Sequence, residues 1–121
     1  MKTSAAIQAL GALAQESRLG IFRLLVQSGP EGLAAGEIGE RLGLPSPTLS
    51  FHLAQLKQAS LVNARRESRS IIYSANYRAM SALLVYLTED CCQGRPELCA
   101  PAFCGAAATA ATPAKTRSAR A

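Results

Sequence analysis

Two prolines and a glycine interrupt helical text in the segment Gly43-Leu44-Pro45-Ser46-Pro47. Glycine takes the left-handed position that closes a helix, and proline cannot continue one. Serine before proline is a strong opening signal: the serine caps, and the proline lacks an N–H that the first turn leaves unpaired anyway. The segment predicts a short helix over residues 35–42, a tight turn, and a new helix from about Pro47 to Ala59. Ile38 and Leu42 lie at i and i+4 on the first. Leu49, Leu53 and Leu56 make the apolar stripe of the second. Two helices joined this tightly must meet at a corner, and the rest of the chain has to pack around it.

The flanking text supplies that packing. Residues 3–14 read as a helix, with Ile7, Leu10 and Ala14 at helical spacing and Thr3 or Ser4 as cap. Ser17 opens a second helix carrying Leu19, Phe22, Leu25 and Val26, and Ser28-Gly29-Pro30 ends it. Leu61 to Arg66 and Arg69 to Ser74 read as a β-hairpin around Glu67-Ser68, with Val62, Ala64, Ile71 and Tyr73 on one face. A last helix spans about Asn76 to Asp90, with Met80, Leu83, Leu84 and Leu87 as its stripe. The 121 residues suffice for one domain, and a hydrophobic fraction of 49% supports a core. A domain this small buries only part of its apolar surface, and dimerisation is a common remedy. The expected fold class is mainly α with a small β-hairpin, a homodimeric winged helix-turn-helix. The expected division is a folded domain over residues 1–92, a cysteine-containing loop over 93–104 and a disordered basic tail over 105–121.

Helix, tight turn, helix, hairpin is the order in which the second helix enters the major groove and its N-terminal residues reach base edges. With the leucine stripe buried, Pro47, Thr48, Phe51, Ala54 and Gln55 point outward, and Ser46 and Ser50 sit on the flank. Serine and threonine can bond base edges, glutamine can pair with adenine, and phenylalanine can touch a thymine methyl. Phe51 alternatively packs under the hairpin. His52 either reaches DNA or serves as a structural histidine beside the core. Arg65, Arg66 and Arg69 surround the hairpin tip, where cations position phosphates without reading sequence, or form a solvated face. The net charge of +5 suits a nucleic-acid partner, although Lys115, Arg117 and Arg120 of the tail supply much of it.

The runs Ser46-Pro47-Thr48-Leu49-Ser50-Phe51-His52-Leu53-Ala54-Gln55-Leu56, Ala59-Ser60-Leu61-Val62 and Arg65-Arg66-Glu67-Ser68-Arg69-Ser70-Ile71-Ile72-Tyr73 resemble the ArsR/SmtB family of metal-responsive bacterial repressors. The resemblance runs from about Ile7 to Asp90. It implies a homodimer joined through the first and last helices on a palindromic operator in double-stranded DNA. Ser68 stands where the family often has glycine, which implies a stiffer or strained hairpin tip.

The four cysteines, Cys91, Cys92, Cys99 and Cys104, all lie close together, with no histidine nearby. No secretory leader is visible and no apolar run approaches the roughly 18–20 residues of a membrane helix, so a cytoplasmic protein with no membrane partner is expected. There, cysteines act as ligands or redox groups rather than disulfides. Sulfur-only sets select soft ions. Arsenite and antimonite prefer three sulfurs in a pyramid, and three thiols plus As(OH)3 give the tris-thiolate and three waters. Zinc wants four ligands, usually in tighter cysteine pairs, and must displace protons. Cys91 and Cys92 follow a helix C-terminus and Glu89-Asp90, surroundings that disfavour thiolate and argue against a redox thiol. The segment Gly32 to Glu40, where the best-known arsenic site of the family has cysteines, has none here. What remains resembles a branch whose site is a vicinal cysteine pair after the last helix plus one further cysteine. The expected inducer is As(III), with Sb(III) possible. Cys99 is the expected third ligand and Cys104 a spare or substitute. Zinc or cadmium sensing and thiol redox sensing remain as alternatives. A thiol enzyme of arsenic processing is disfavoured, for no phosphate loop, second histidine or paired carboxylates accompany the cysteines.

Overall fold

The computed structural model describes residues 1–89. The elements are α1 (Thr3–Leu13), α2 (Glu16–Ser28), β1 (Leu33–Ala34), α3 (Ala35–Leu42), α4 (Ser46–Gln58), β2 (Val62–Glu67), β3 (Ser70–Ala75) and α5 (Tyr77–Thr88). This is the mainly helical winged helix-turn-helix expected from the sequence. Met1–Met80 form one compact unit and a second begins at Ser81, within α5. The expected inducer loop (93–104) and disordered basic tail (105–121), and all four cysteines, lie outside the described residues.

The core of the first unit is aliphatic. Ile21 and Leu25 of α2, Ile38 of α3, Leu53 and Leu56 of α4, and Leu61 are fully buried. Each such side chain contributes about 2 kcal/mol by leaving water. Ile21 takes the place expected for Leu19, which is exposed, and Leu42 is exposed rather than paired with Ile38. α1 buries Ala6 and Ala9, while Ile7 (64% exposed) and Leu10 (41%) face outward. The two alanines let α1 approach its neighbours closely, and the larger apolar residues stay on the surface of the single chain. On α5, Leu83 is buried while Leu84, Val85 and Leu87 are exposed.

Several boundaries move by one or two residues, each for a local reason. α2 starts at Glu16 because Gln15, rather than Ser17, caps it, its side chain accepting from Arg18 N at 3.0 Å. α1 begins after Lys2, with no side-chain cap there. α4 starts at Ser46: Pro45 is the N-cap residue and its carbonyl accepts from Leu49 N at 2.9 Å, so Ser46 is the first helical residue rather than the cap. Gly43 takes the left-handed position that ends α3, and Leu44 N reaches back to Gly39 O at 3.0 Å. That six-to-one bond closes the tight turn as a Schellman motif.

The hairpin is joined by Ser68-Arg69 rather than Glu67-Ser68, with Glu67 opposite Ser70 and Ala64 opposite Tyr73. Ser68 has φ 58, a left-handed conformation that costs a residue with a Cβ about 1 kcal/mol. The strained tip implied by the family resemblance is therefore present. β1 pairs with β3 through Leu33–Tyr73 and Ala34–Ile72, making a three-stranded antiparallel sheet in the order β1-β3-β2 where the sequence indicated a two-stranded hairpin. At the base of the hairpin, Asn76 Nδ2 donates to Ser60 O at 2.9 Å, while Asn76 Oδ1 caps α5 by accepting from Ala79 N at 3.1 Å.

Candidate nucleic-acid interface

α4 is held by its leucine stripe. Leu49, Leu53 and Leu56 are buried at i, i+4 and i+7, which fixes what the opposite face displays. Ser46, Pro47, Thr48, Ser50, Phe51 and Ala54 are exposed and Gln55 is half-buried. The first turn of α4 carries no acidic residue. Its free N–H groups and the positive end of the helix dipole therefore meet solvent without a competing carboxylate, a surface suited to phosphate oxygens. Phe51 is 58% exposed, so it does not pack under the hairpin. Its ring stands edge-on to His52 at 5.6 Å between centroids.

His52 is set apart from the rest of that face. It is 8% exposed, and its Nδ1 lies 3.3 Å from Arg18 Nη1. In this conformation the imidazole faces α2 rather than the outward surface.

The three hairpin arginines also divide. Arg65 Nε donates to Glu67 Oε2 and its Nη2 donates to Glu31 O, both at 2.7 Å. Arg65 therefore fastens β2 to the segment before β1. Arg66 and Arg69 are exposed around the tip. Replacing both by alanine is expected to weaken binding to any duplex and to reduce the slope of log affinity against log salt by about two, one phosphate each. Thermal stability should hardly change, since both are surface residues. Fluorescence anisotropy across a salt series measures this, and an unchanged slope would remove the tip from the interface.

Among the described residues, no group of three or more His, Cys, Asp or Glu side chains could hold a metal ion. None of their helices is long and apolar enough to cross a membrane. Neither β1 nor the Arg18–His52 contact was expected from the sequence. Gly32 before Leu33 was the only local sign of the strand. Nothing in the spacing of residues 18 and 52 could have joined them.

The family model described as a helix-turn-helix domain matches residues 13–65. The transcriptional activator HlyU of Vibrio cholerae is 37% identical over 73% of this chain and 79% of its own length. The solved structure of reduced HlyU from Vibrio cholerae is similar at a TM-score of 0.58 and 31% identity, covering 72% of this chain and 90% of that one. A homodimeric winged helix-turn-helix DNA-binding domain from Mycobacterium bovis, a fragment of a possible ArsR-family transcriptional regulator, gives a TM-score of 0.60 at 30% identity. It covers 72% of this chain and 80% of that one.

Proposed function

Because this chain belongs to the helix-turn-helix transcriptional regulators of the ArsR-like winged type, we propose that it is an arsenic-responsive repressor. As a homodimer it holds a palindromic operator in double-stranded DNA. It lets go when As(III), or Sb(III), is captured by Cys91, Cys92 and Cys99, with Cys104 as spare or substitute. The observation that carries the DNA half of this reading is the exposed, uncharged face of the first turns of α4. Side chains of Ser46, Thr48, Ser50, Phe51 and Gln55 match base edges, while Arg66 and Arg69 match the backbone. Dimerisation draws support from the apolar surface that α1 exposes at Ile7 and Leu10, and separately from Leu84, Val85 and Leu87 of α5. The inducer half rests on the sulfur-only cysteine set in the sequence.

Metalloid capture and DNA binding are linked reciprocally, and a coupling of about 5–150-fold is typical. Cys91→Ser or Cys92→Ser is expected to leave operator affinity unchanged and abolish release by arsenite. The measurement is anisotropy of a duplex selected from a random pool by the reduced wild-type chain, titrated with arsenite and separately with zinc. Mutants that still dissociate with arsenite would sink the assigned site. In vitro transcription from the same duplex gives the sign of regulation, which matters because the relative HlyU is named an activator.

Thiol oxidation as the signal is a second reading, favoured by one observation: a similar solved protein is described as reduced HlyU. Release by peroxide, reversed by a dithiol, with no response to arsenite would make it the better account.

A further inference from the structure

Arg18, in the first turn of α2, is bonded to two of the helices packed beside it, α1 and α4. Its Nε donates to Ala12 O at 2.7 Å, and its Nη1 lies 3.3 Å from His52 Nδ1 of α4. Ala12 sits in the last turn of α1, where carbonyls have no partner within their own helix. Neither described ion pair involves Arg18, so its anchoring acceptors are a carbonyl and an imidazole rather than a carboxylate.

A guanidinium only donates hydrogen bonds and keeps its proton. As a hydrogen bond, the 3.3 Å contact therefore makes His52 Nδ1 the acceptor and calls for the tautomer whose N–H is on Nε2. The two donors used, Nε and Nη1, belong to one rigid plane. The plane thus fixes the spacing between the end of α1 and the His52 ring. His52 is buried on the flank of α4, and its ring meets the edge of Phe51, which is exposed on the outward face. A continuous chain of contacts runs from Ala12 through Arg18 and His52 to Phe51.

We propose that Arg18 is a positioning residue for DNA reading, which sets the placement of α4 against the end of α1 through His52. This rests on the reading of α4 as the DNA-facing helix. Displacing the last turn of α1 would pull on the imidazole and so on the face of α4 that meets the groove. Arg18 acts without contacting DNA.

The test uses the full chain and a duplex selected from a random pool by the wild type. Arg18→Lys keeps the charge but offers one donor centre instead of two, and His52→Leu removes the acceptor. Each is expected to lower duplex affinity about tenfold, the scale of one hydrogen bond to a charged group. His52→Asn places an oxygen near the former Nδ1 and is expected to bind within about twofold of the wild type. The salt slope should stay the same in Arg18→Lys, because no phosphate contact is lost. His52 is the only histidine, so imidazole nitrogen NMR reports it alone. A protonated Nε2 with an unprotonated Nδ1 is expected in the wild type, and a mixture of tautomers in Arg18→Lys. The proposal is overturned by an Nδ1–H tautomer in the wild type, by wild-type affinity in Arg18→Lys and His52→Leu, or by failure of His52→Asn to rescue. A salt slope lowered by about one in Arg18→Lys would make Arg18 a phosphate contact and overturn it equally. A wild-type chain that selects no duplex at all would instead refute the DNA-reading assignment itself.

Discussion

Gly32→Ala is expected to lower the melting temperature by about 15 °C, equivalent to ~3 kcal/mol in a domain of this size. Two effects act together. Gly32 has φ 77, a left-handed conformation that penalises any Cβ by about 1–2 kcal/mol. A Cβ there would also lie 2.3 Å from Tyr73 O and 3.0 Å from Tyr73 C. Those atoms are backbone, already fixed by the pairing of Tyr73 with Leu33 and Ala64, so they cannot swing aside as a side-chain tip would. Relief requires β1 to slide off β3. That movement would also disturb the bond from Arg65 to Glu31 O, and the hairpin would lose its anchorage along one edge. Circular dichroism melts of the two proteins measure the effect. A difference below about 3 °C would show that β1 yields freely and contributes little to the fold.

The same glycine shows why part of the fold was legible in the sequence and part was not. The helix-turn-helix corner could be read directly, because its signals are local: Gly43 stops one helix and Pro45-Ser46-Pro47 starts the next. The leucine stripe of α4 gave its outward face for the same reason, since three buried positions fix the remaining directions. β1 was illegible because two residues carry no periodicity. Its existence depends on Tyr73, forty positions away, accepting a chain that approaches closely only where residue 32 lacks a side chain. On α1 the periodicity was real, but the face that packs within the single chain lies beside it. Ile7 and Leu10 form a stripe, yet the single chain buries Ala6 and Ala9 and leaves the stripe outside. Sequence spacing marks an apolar face without saying which surface covers it. The arginines of the hairpin were equivalent in the sequence, and only the fold ties Arg65 to Glu31 and Glu67 while leaving Arg66 and Arg69 at the tip. His52 was ambiguous for a related reason. Its position on the flank of α4 allowed either a DNA contact or a core role, and Arg18 faces its Nδ1 through tertiary packing alone.

Thr48→Glu separates folding from reading with opposite signs. Thr48 is exposed in the first turn of α4, which has no acidic residue and no side-chain cap. A carboxylate there meets the positive end of the helix and should stabilise the fold by about 0.3–1 kcal/mol. Pro45 has no N–H, so a capping-box bond back to it is impossible and the gain is electrostatic alone. Against DNA the same carboxylate would be desolvated among phosphates with no cation to pair with. An uncompensated buried charge costs about 3–5 kcal/mol, so affinity for a selected duplex should fall by roughly a hundredfold or more. Thr48→Gln carries the same length without the charge and should lose far less, about tenfold at most, from the altered base contact. Melting curves and anisotropy on all three proteins test the pair of signs together. A Thr48→Glu chain that melts no lower than wild type and has lost the duplex would put the start of α4 in the groove. One that melts normally and still binds would move the interface elsewhere on the first unit. In that case the Arg66 and Arg69 variants would become the stronger guide, because a salt slope reduced by two would still place the hairpin tip on the backbone while α4 stood clear of the bases.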